Sequence, residues 1–360
     1  MQLPFDMTDV DRRIWDEELD EFVPTRIYDA HTHIYRWAFY QHPNKEATPY
    51  YETFGCDFPE ASWAMADACD AALFPGRTVH RLAFPMPFAS HVNFNASNAY
   101  LAEQVRADAR SAGLLLVHPG MTAEAVERDV LRHGLLGFKP YRFYARSGDA
   151  ADCRLTEFMP EHQLEVADRH GLLIMMHLSK RDAIADPENL ANLEELTGRF
   201  PRVRWILAHC ARSYSCWAIE KAAPVLRRLP NLWFDTSSVC ESDAFDALYS
   251  TVGVERVMYG SDDIPVGLMR GKYNAFGSAW AYLSPKNQQL NLEHCDGRMT
   301  FTRYEQLRAM RRAARRLKVT PAQNQALFFD TAMNLVQSVR AERLMAASAR
   351  PDRRLAASEE

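Results

Sequence analysis

Eight short apolar runs decide what this chain can become. They are centred near residues 28, 81, 116, 137, 174, 206, 233 and 258, and amphipathic segments separate most of them. Runs such as Leu114–Val117, Leu172–Met176 and Val203–Ala208 are too short for core helices and lack a polar face. That is how parallel strands read when helices cover both sides of their sheet. Between them, Ser97–Ala112, Thr122–Arg132, Thr156–His170, Asp182–Phe200, Tyr214–Arg228 and Ser242–Val252 carry helical spacing, several with capping signals such as Thr122. Eight alternating units predict an α/β protein, a closed (β/α)8 TIM barrel; a doubly wound open sheet is the competing arrangement. Residues 1–25 read as an N-terminal arm outside the barrel, Asp296–Lys318 and Pro321–Val339 as closing helices, and 349–360 as a flexible tail. No internal repeat or low-complexity linker interrupts the pattern, so 1–360 reads as a single domain with its barrel over 27–339.

The formal net charge of −5 argues against a nucleic-acid partner. No apolar run approaches the roughly 20 residues that span a bilayer. The seven cysteines are scattered without a Cys-x-x-Cys pair, which fits a reduced, cytoplasmic protein rather than a disulfide framework or thiolate cluster.

In a barrel of this kind, chemistry collects at the C-terminal ends of the strands. The first polar groups after the apolar runs include His31 and His33, Lys139, His177, His209 and Asp262. On an extended strand Asp29, His31 and His33 share one face. Several nitrogen and oxygen donors with room left for water describe a catalytic divalent-metal site rather than a structural one. The aromatic-rich loop Tyr35–Pro59 is long enough to act as a cover. Arg36, Lys139, Arg142, Arg146, Lys180, Arg181, Arg212 and Arg270 also follow strand ends, a basic rim that suits a small anionic substrate. Lys139, Tyr141, Arg142 and Arg212 are the candidate substrate-binding set, and Tyr35, Trp37, Phe39, Tyr40, Tyr141, Phe143 and Tyr144 read either as a flat apolar wall or as packing residues. Asp235, Thr236 and Ser238 are placed to orient a ligating histidine. Strand alternation turns Cys210 and Asp263 away from the mouth.

The pieces Asp29-Ala30-His31-Thr32-His33, Gly137-Phe138-Lys139, Met176-His177, Ala208-His209, Tyr259-Gly260-Ser261-Asp262 and Asn334-Leu335 occur in that order. In this the sequence resembles the amidohydrolase superfamily, in the branch called amidohydrolase family 2, over roughly Tyr28 to Val336. The resemblance implies that His31, His33, His177 and Asp262 bind a divalent metal, most readily zinc. It casts Asp262 and His209 as the catalytic pair. One ion is the expectation; a carbamylated Lys139 would bridge two, whereas a free Lys139 ammonium would bind substrate. The implied activity is hydrolysis of a lactone, ester or amide bond in a small carboxylated substrate by metal-activated water. The alternative is a non-oxidative decarboxylase, or a hydratase, with His209 assisting proton transfer. Family habit also implies a homo-oligomer without nucleic-acid or membrane partners. Outside that family, a seven-stranded phosphoesterase barrel and a metal-holding protein without catalysis remain as readings.

Overall fold

The computed structural model describes residues 3–348 apart from 90, 230 and 288–292; the expected tail 349–360 lies outside them. Eight parallel strands are present: β1 (Arg26–His33), β2 (Thr78–Phe84), β3 in two pieces (Ala112–Gly113 and Leu115–Val117), β4 (Gly137–Pro140), β5 (Leu173–Met176), β6 (Arg204–Leu207), β7 (Leu232–Asp235) and β8 (Val257–Met258). The order runs β1-β2-β3 and then β3 through β8, each pairing parallel to the next. The break in β3 is a single residue, since Leu114 still donates its N–H to Ala83 O at 2.9 Å. The ring closes between β1 and the chain leaving β8. Ala30 N–H donates to Tyr259 O at 2.9 Å, Asp262 N–H donates to His31 O at 2.9 Å, and Thr32 forms a parallel bridge with Asp263. Gly260 permits this seam: a Cβ there would lie 2.9 Å from His31 Cβ.

Helices alternate with the strands as α1 (Trp63–Leu73), α2 (Phe94–Gln104), α3 (Ala123–Arg132), α4 (Glu161–Arg169), α5 (Pro187–Arg199), α6 (Cys216–Leu226), α7 (Ser242–Val252) and α8 (Thr302–Arg316). The fold is therefore the (β/α)8 TIM barrel. The interior is apolar, with Leu173, Ile174, Met175, Met176, Trp205 and Phe234 all buried. Among the described residues no helix is long and apolar enough to cross a membrane.

Several helix limits differ from the sequence reading, and prolines explain two of them. The stretch 156–170 is split at Pro160, which cannot donate to an ongoing helix. Pro187 opens α5 as its first residue, with the Asp186 carboxylate capping Glu188 N and Asn189 N. The segment 296–301 pairs instead of coiling: Phe301 bridges Arg270, and Gly271 N–H donates to Thr300 O at 3.1 Å. Helix α8 therefore starts six residues later than its amphipathic pattern suggests. An unforeseen antiparallel ribbon, Lys272–Phe276 with Ala279–Leu283, precedes it and turns at Gly277, whose φ is 61°.

A buried ionic ladder joins the outer layer to the seam. Arg303 of α8 pairs with Asp70 of α1 at 2.7 Å and also with Asp263. Arg81 of β2 pairs with the same Asp70 and with Asp67 at 2.7 Å. The N-terminal arm packs outside, where Trp15 stacks on Tyr304 of α8 at 6.2 Å.

Candidate metal centre and substrate pocket

His31 lies within a register shift of β1 between Asp29 and Thr32, and His33 follows it. The shift sends Asp29 elsewhere: its carboxylate accepts from His31 N at 3.0 Å, from Ser261 N at 2.9 Å and from Ser261 Oγ at 2.5 Å. Simple alternation had put Asp29 with the two histidines; the irregular register removes it. Asp262 arrives across the seam in the left-handed region, with φ of 64°. One carboxylate oxygen, Asp262 Oδ1, lies 3.3 Å from His31 Nε2 and 3.2 Å from His33 Nε2. His31, His33 and Asp262 thus offer ligand atoms within 4.8 Å of one another, all buried.

His209 follows β6 in a left-handed turn, with φ near 50–60° at His209, Cys210, Ala211 and Arg212. Non-glycine residues avoid this region, and such strain gathers at functional sites. The turn is held from β7, where Asp235 Oδ1 accepts from His209 N at 3.0 Å. Asp235 Oδ2 accepts from His31 Nδ1 at 2.9 Å. Ser237 Oγ lies between both rings, 3.1 Å from His31 Nδ1 and 2.9 Å from His209 Nδ1. Ser238 Oγ donates to Asp262 Oδ2 at 2.6 Å. Ser237 was not anticipated, because alternation along a strand says nothing about the turn after it. His177 stands outside the three-residue group, its ring 5.2 Å from that of His209.

In all four histidines Nδ1 faces an acceptor: Asp235 for His31, Pro85 O for His33, Leu178 O for His177 and Ser237 O for His209. This arrangement places the proton on Nδ1 and presents Nε2 as a lone pair, the tautomer a metal requires. Burial lowers His33 to a pKa of about 4, so it carries one proton at neutral pH. That proton cannot serve both Pro85 O and Asp262 Oδ1, and a cation at Nε2 resolves the conflict. Burial works against charge on Asp262 too, yet the charge of a protonated His31 and the His31 and His33 rings within hydrogen-bond reach hold it well below the ordinary carboxylate range. His31 moves the other way: the Asp235 carboxylate outweighs burial and raises it. Two buried Nε2 atoms converging on an ionised carboxylate fit a divalent cation with open positions.

Lys139, on β4, is fully buried, and among the described residues its Nζ has no hydrogen-bond partner. It rests 4.4 Å from the centre of the Phe84 ring and 5.6 Å from that of Tyr141. Burial pulls its pKa down to about 8 despite Asp235 and Asp262 nearby. Tyr141 packs on His177 at 4.8 Å. Arg142 donates to Ala150 O at 2.6 Å, and its buried Nε is unpartnered. Arg212 donates to Lys180 O at 2.6 Å, and its pKa falls to about 10 through burial and then Arg142. Among the described residues neither Lys139, Arg142 nor Arg212 pairs with a carboxylate. Other members of the expected basic rim are neutralised elsewhere: Arg36 by Glu60, Lys180 by Glu188 and Asp152, and Arg270 by Asp11. Tyr273 and Trp280, carried by the ribbon, reach Tyr214 without having been anticipated: Trp280 stacks on it and Tyr273 tilts against it, each at 4.9 Å.

This fold and donor set define a metal-dependent barrel enzyme of a known family. The chain belongs to the amidohydrolase family whose sequence profile, described as Amidohydrolase, matches residues 28–337. Members include both hydrolases and decarboxylases. No curated protein matches the chain. Among solved structures, a candidate 2-pyrone-4,6-dicarboxylic acid hydrolase from Pseudomonas putida superposes with a TM-score of 0.54 at 16% identity, covering 88% of this chain and 98% of that one. An amidohydrolase from Burkholderia multivorans gives 0.56 at 16% identity, covering 86% and 99%. A dihydroxybenzoic acid decarboxylase from Polaromonas, solved with bound manganese and 2-nitroresorcinol, gives 0.53 at 15% identity, covering 89% and 99%. At these identities the likeness is one of fold.

Proposed function

We propose that this protein is a metal-dependent hydrolase that opens a lactone, ester or amide bond in a small carboxylated substrate. The observation that carries the reading is Asp262 Oδ1 shared between His31 Nε2 and His33 Nε2, with an unpaired Lys139 ammonium nearby. His31, His33 and Asp262 would hold a divalent cation, and His177 is the further ligand the resemblance implies. When bound, such a cation polarises a carbonyl and makes water a usable nucleophile near neutral pH. Asp262, ionised and fixed by Ser238, takes the proton from the attacking water and passes it toward the leaving oxygen or nitrogen. His209 stays neutral at pH 7, because burial pulls its pKa to about 4, so with its proton on Nδ1 it offers Nε2 as an acceptor beside the reacting group. Lys139, Arg142 and Arg212 bind the substrate carboxylate, and Tyr141 packs against its body. Lys139 serves as an ammonium, not as a carbamate bridging two ions. Zinc or manganese suits the donor set.

One observation favours the decarboxylase reading: aromatic rings flank both His177 and His209, as a planar acid would require. Protein loaded with zinc or manganese, incubated in 18O-water with 2-pyrone-4,6-dicarboxylate and with 2,6-dihydroxybenzoate, separates the two. Incorporation of 18O into a ring-opened acid supports hydrolysis. Carbon dioxide released without 18O in the organic product refutes it in favour of decarboxylation.

A further inference from the structure

Asp29 and Asp263 flank the metal-ligating residues in sequence, yet both carboxylates are engaged elsewhere. Asp29 turns into the seam, where it accepts from His31 N, Ser261 N and Ser261 Oγ. Ser261 Oγ in turn accepts from Asp263 N at 3.0 Å. The Asp263 carbonyl accepts from His33 N, and Asp263 bridges Thr32. One short network therefore fixes the backbone beside His31, His33 and Asp262. Asp262 depends on that support, because a non-glycine residue at φ of 64° is strained unless its surroundings hold it there.

The Asp263 side chain occupies a socket between the barrel and its outer layer. It is 3% exposed, and Arg303 of α8 pairs with it. Gly267 closes the socket from the other side: a Cβ there would overlap Asp263 Oδ1 and lie 2.8 Å from Ser261 O. Arg303 is itself 1% exposed, and its guanidinium carbon lies 4.8 Å from the Phe74 ring centre. The two ends of its fork divide the work, Nη1 donating to Asp70 Oδ1 at 2.7 Å while Nη2 meets Asp263. Among the described residues Arg303 is the one cation paired with Asp263. Arg81, the other arginine of the ladder, pairs with Asp70 and Asp67.

We propose that Arg303 is a positioning residue for the metal centre: from outside the barrel it holds Asp263, and through the backbone of Asp263 it sets where Asp262 stands against His31 and His33. The inference rests on the metal-binding reading of those three residues and adds the distant group on which their mutual placement depends. A buried carboxylate that loses its counter-ion is driven toward water. Without Arg303 the Asp263 side chain leaves its socket and pulls on the peptide it shares with Asp262. Asp262 Oδ1 then departs from the point it shares between the two Nε2 atoms.

Calorimetric titration with manganese of the wild type, Arg303→Met, Arg81→Met and Gly267→Ala tests this. Arg303→Met is expected to bind manganese about 10- to 100-fold more weakly, the range for groups that orient metal ligands from behind. Arg81→Met removes a buried cation from the same ladder but leaves Asp263 paired, so it should lose stability and keep the wild-type manganese affinity. Gly267→Ala keeps both arginines and expels the Asp263 carboxylate from inside, and it should weaken manganese as Arg303→Met does. Wild-type affinity in Arg303→Met, or an equal loss in Arg81→Met, overturns the inference. Should Arg303→Met not fold, Gly267→Ala decides: weaker manganese binding supports the proposal, and unchanged binding overturns it. If the wild type itself binds no manganese, the metal-binding reading fails and the positioning role falls with it.

Discussion

Lys139→Met is expected to make the metal-free protein more stable at pH 7 while weakening its hold on a carboxylate. The ammonium sits in a fully buried position with no hydrogen-bond partner among the described residues, and its pKa is lowered by burial to about 8 from 10.5. At about 1.4 kcal/mol per pH unit, charging it in the folded chain costs about 3 kcal/mol more than in the unfolded one. Below pH 8 both states are protonated and the folded state bears the whole cost. Between pH 8 and 10.5 the unfolded chain holds more protons, so stability rises with pH, and above 10.5 the cost is gone. Methionine fills a similar volume without charge. The variant should therefore exceed the wild type by up to about 3 kcal/mol at pH 7, and the gap should shrink as pH passes from 8 toward 10.5. Urea unfolding of chelator-treated proteins measures both, since other groups titrating in that window do so alike in the two chains. Benzoate binding to the manganese-loaded variant should fall by about tenfold or more. A variant less stable than the wild type at pH 7, or a gap that does not change with pH, would refute the claim that this ammonium is unpaired.

Asp235→Asn keeps the shape of the group on His31 Nδ1 but removes its charge, and manganese affinity by calorimetry should drop about 10- to 100-fold. Arg303→Met strands Asp263 as a buried carboxylate and leaves Asp70 to Arg81 alone, so urea unfolding should report a loss of about 3–5 kcal/mol; a smaller loss than for an exposed arginine would contradict the ladder. His33 and His209 both sit near pKa 4 against an unfolded value of 6.5, so between these limits the unfolded chain binds more protons. Stability of the metal-free protein should therefore fall as pH drops from 6.5 toward 4, and His209→Gln should soften that slope; an unchanged slope would show that His209 is not held neutral.

The strands were legible because a parallel strand buried on both faces must be apolar throughout, and all eight lie where such runs occur. The histidines, Lys139 and Asp262 were legible for a related reason, each lying within a few residues of the place where an apolar run stops. Sequence patterns failed where long-range pairing decided the outcome. Residues 296–301 have helical spacing but pair with Arg270 and Gly271. The ribbon at 272–283 alternates only weakly, and its value lies in Tyr214, far away in the chain. Strand alternation also misplaced Asp29, because a bulge is a property of two strands and not of one. The basic rim was overcounted for the same kind of reason: only the folded chain shows that Arg36, Lys180 and Arg270 already have carboxylate partners.

The seam between β1 and β8 has a consequence for how the protein comes into being. His33 and Asp262 are 229 residues apart, and Arg303 reaches back 233 residues to Asp70. A chain emerging from the ribosome thus presents its first histidines long before the carboxylate that completes their set. Through most of synthesis the nascent polypeptide owns only half of a cation trap, and it gains the other half when the final third of these 360 residues arrives to clasp the first strand.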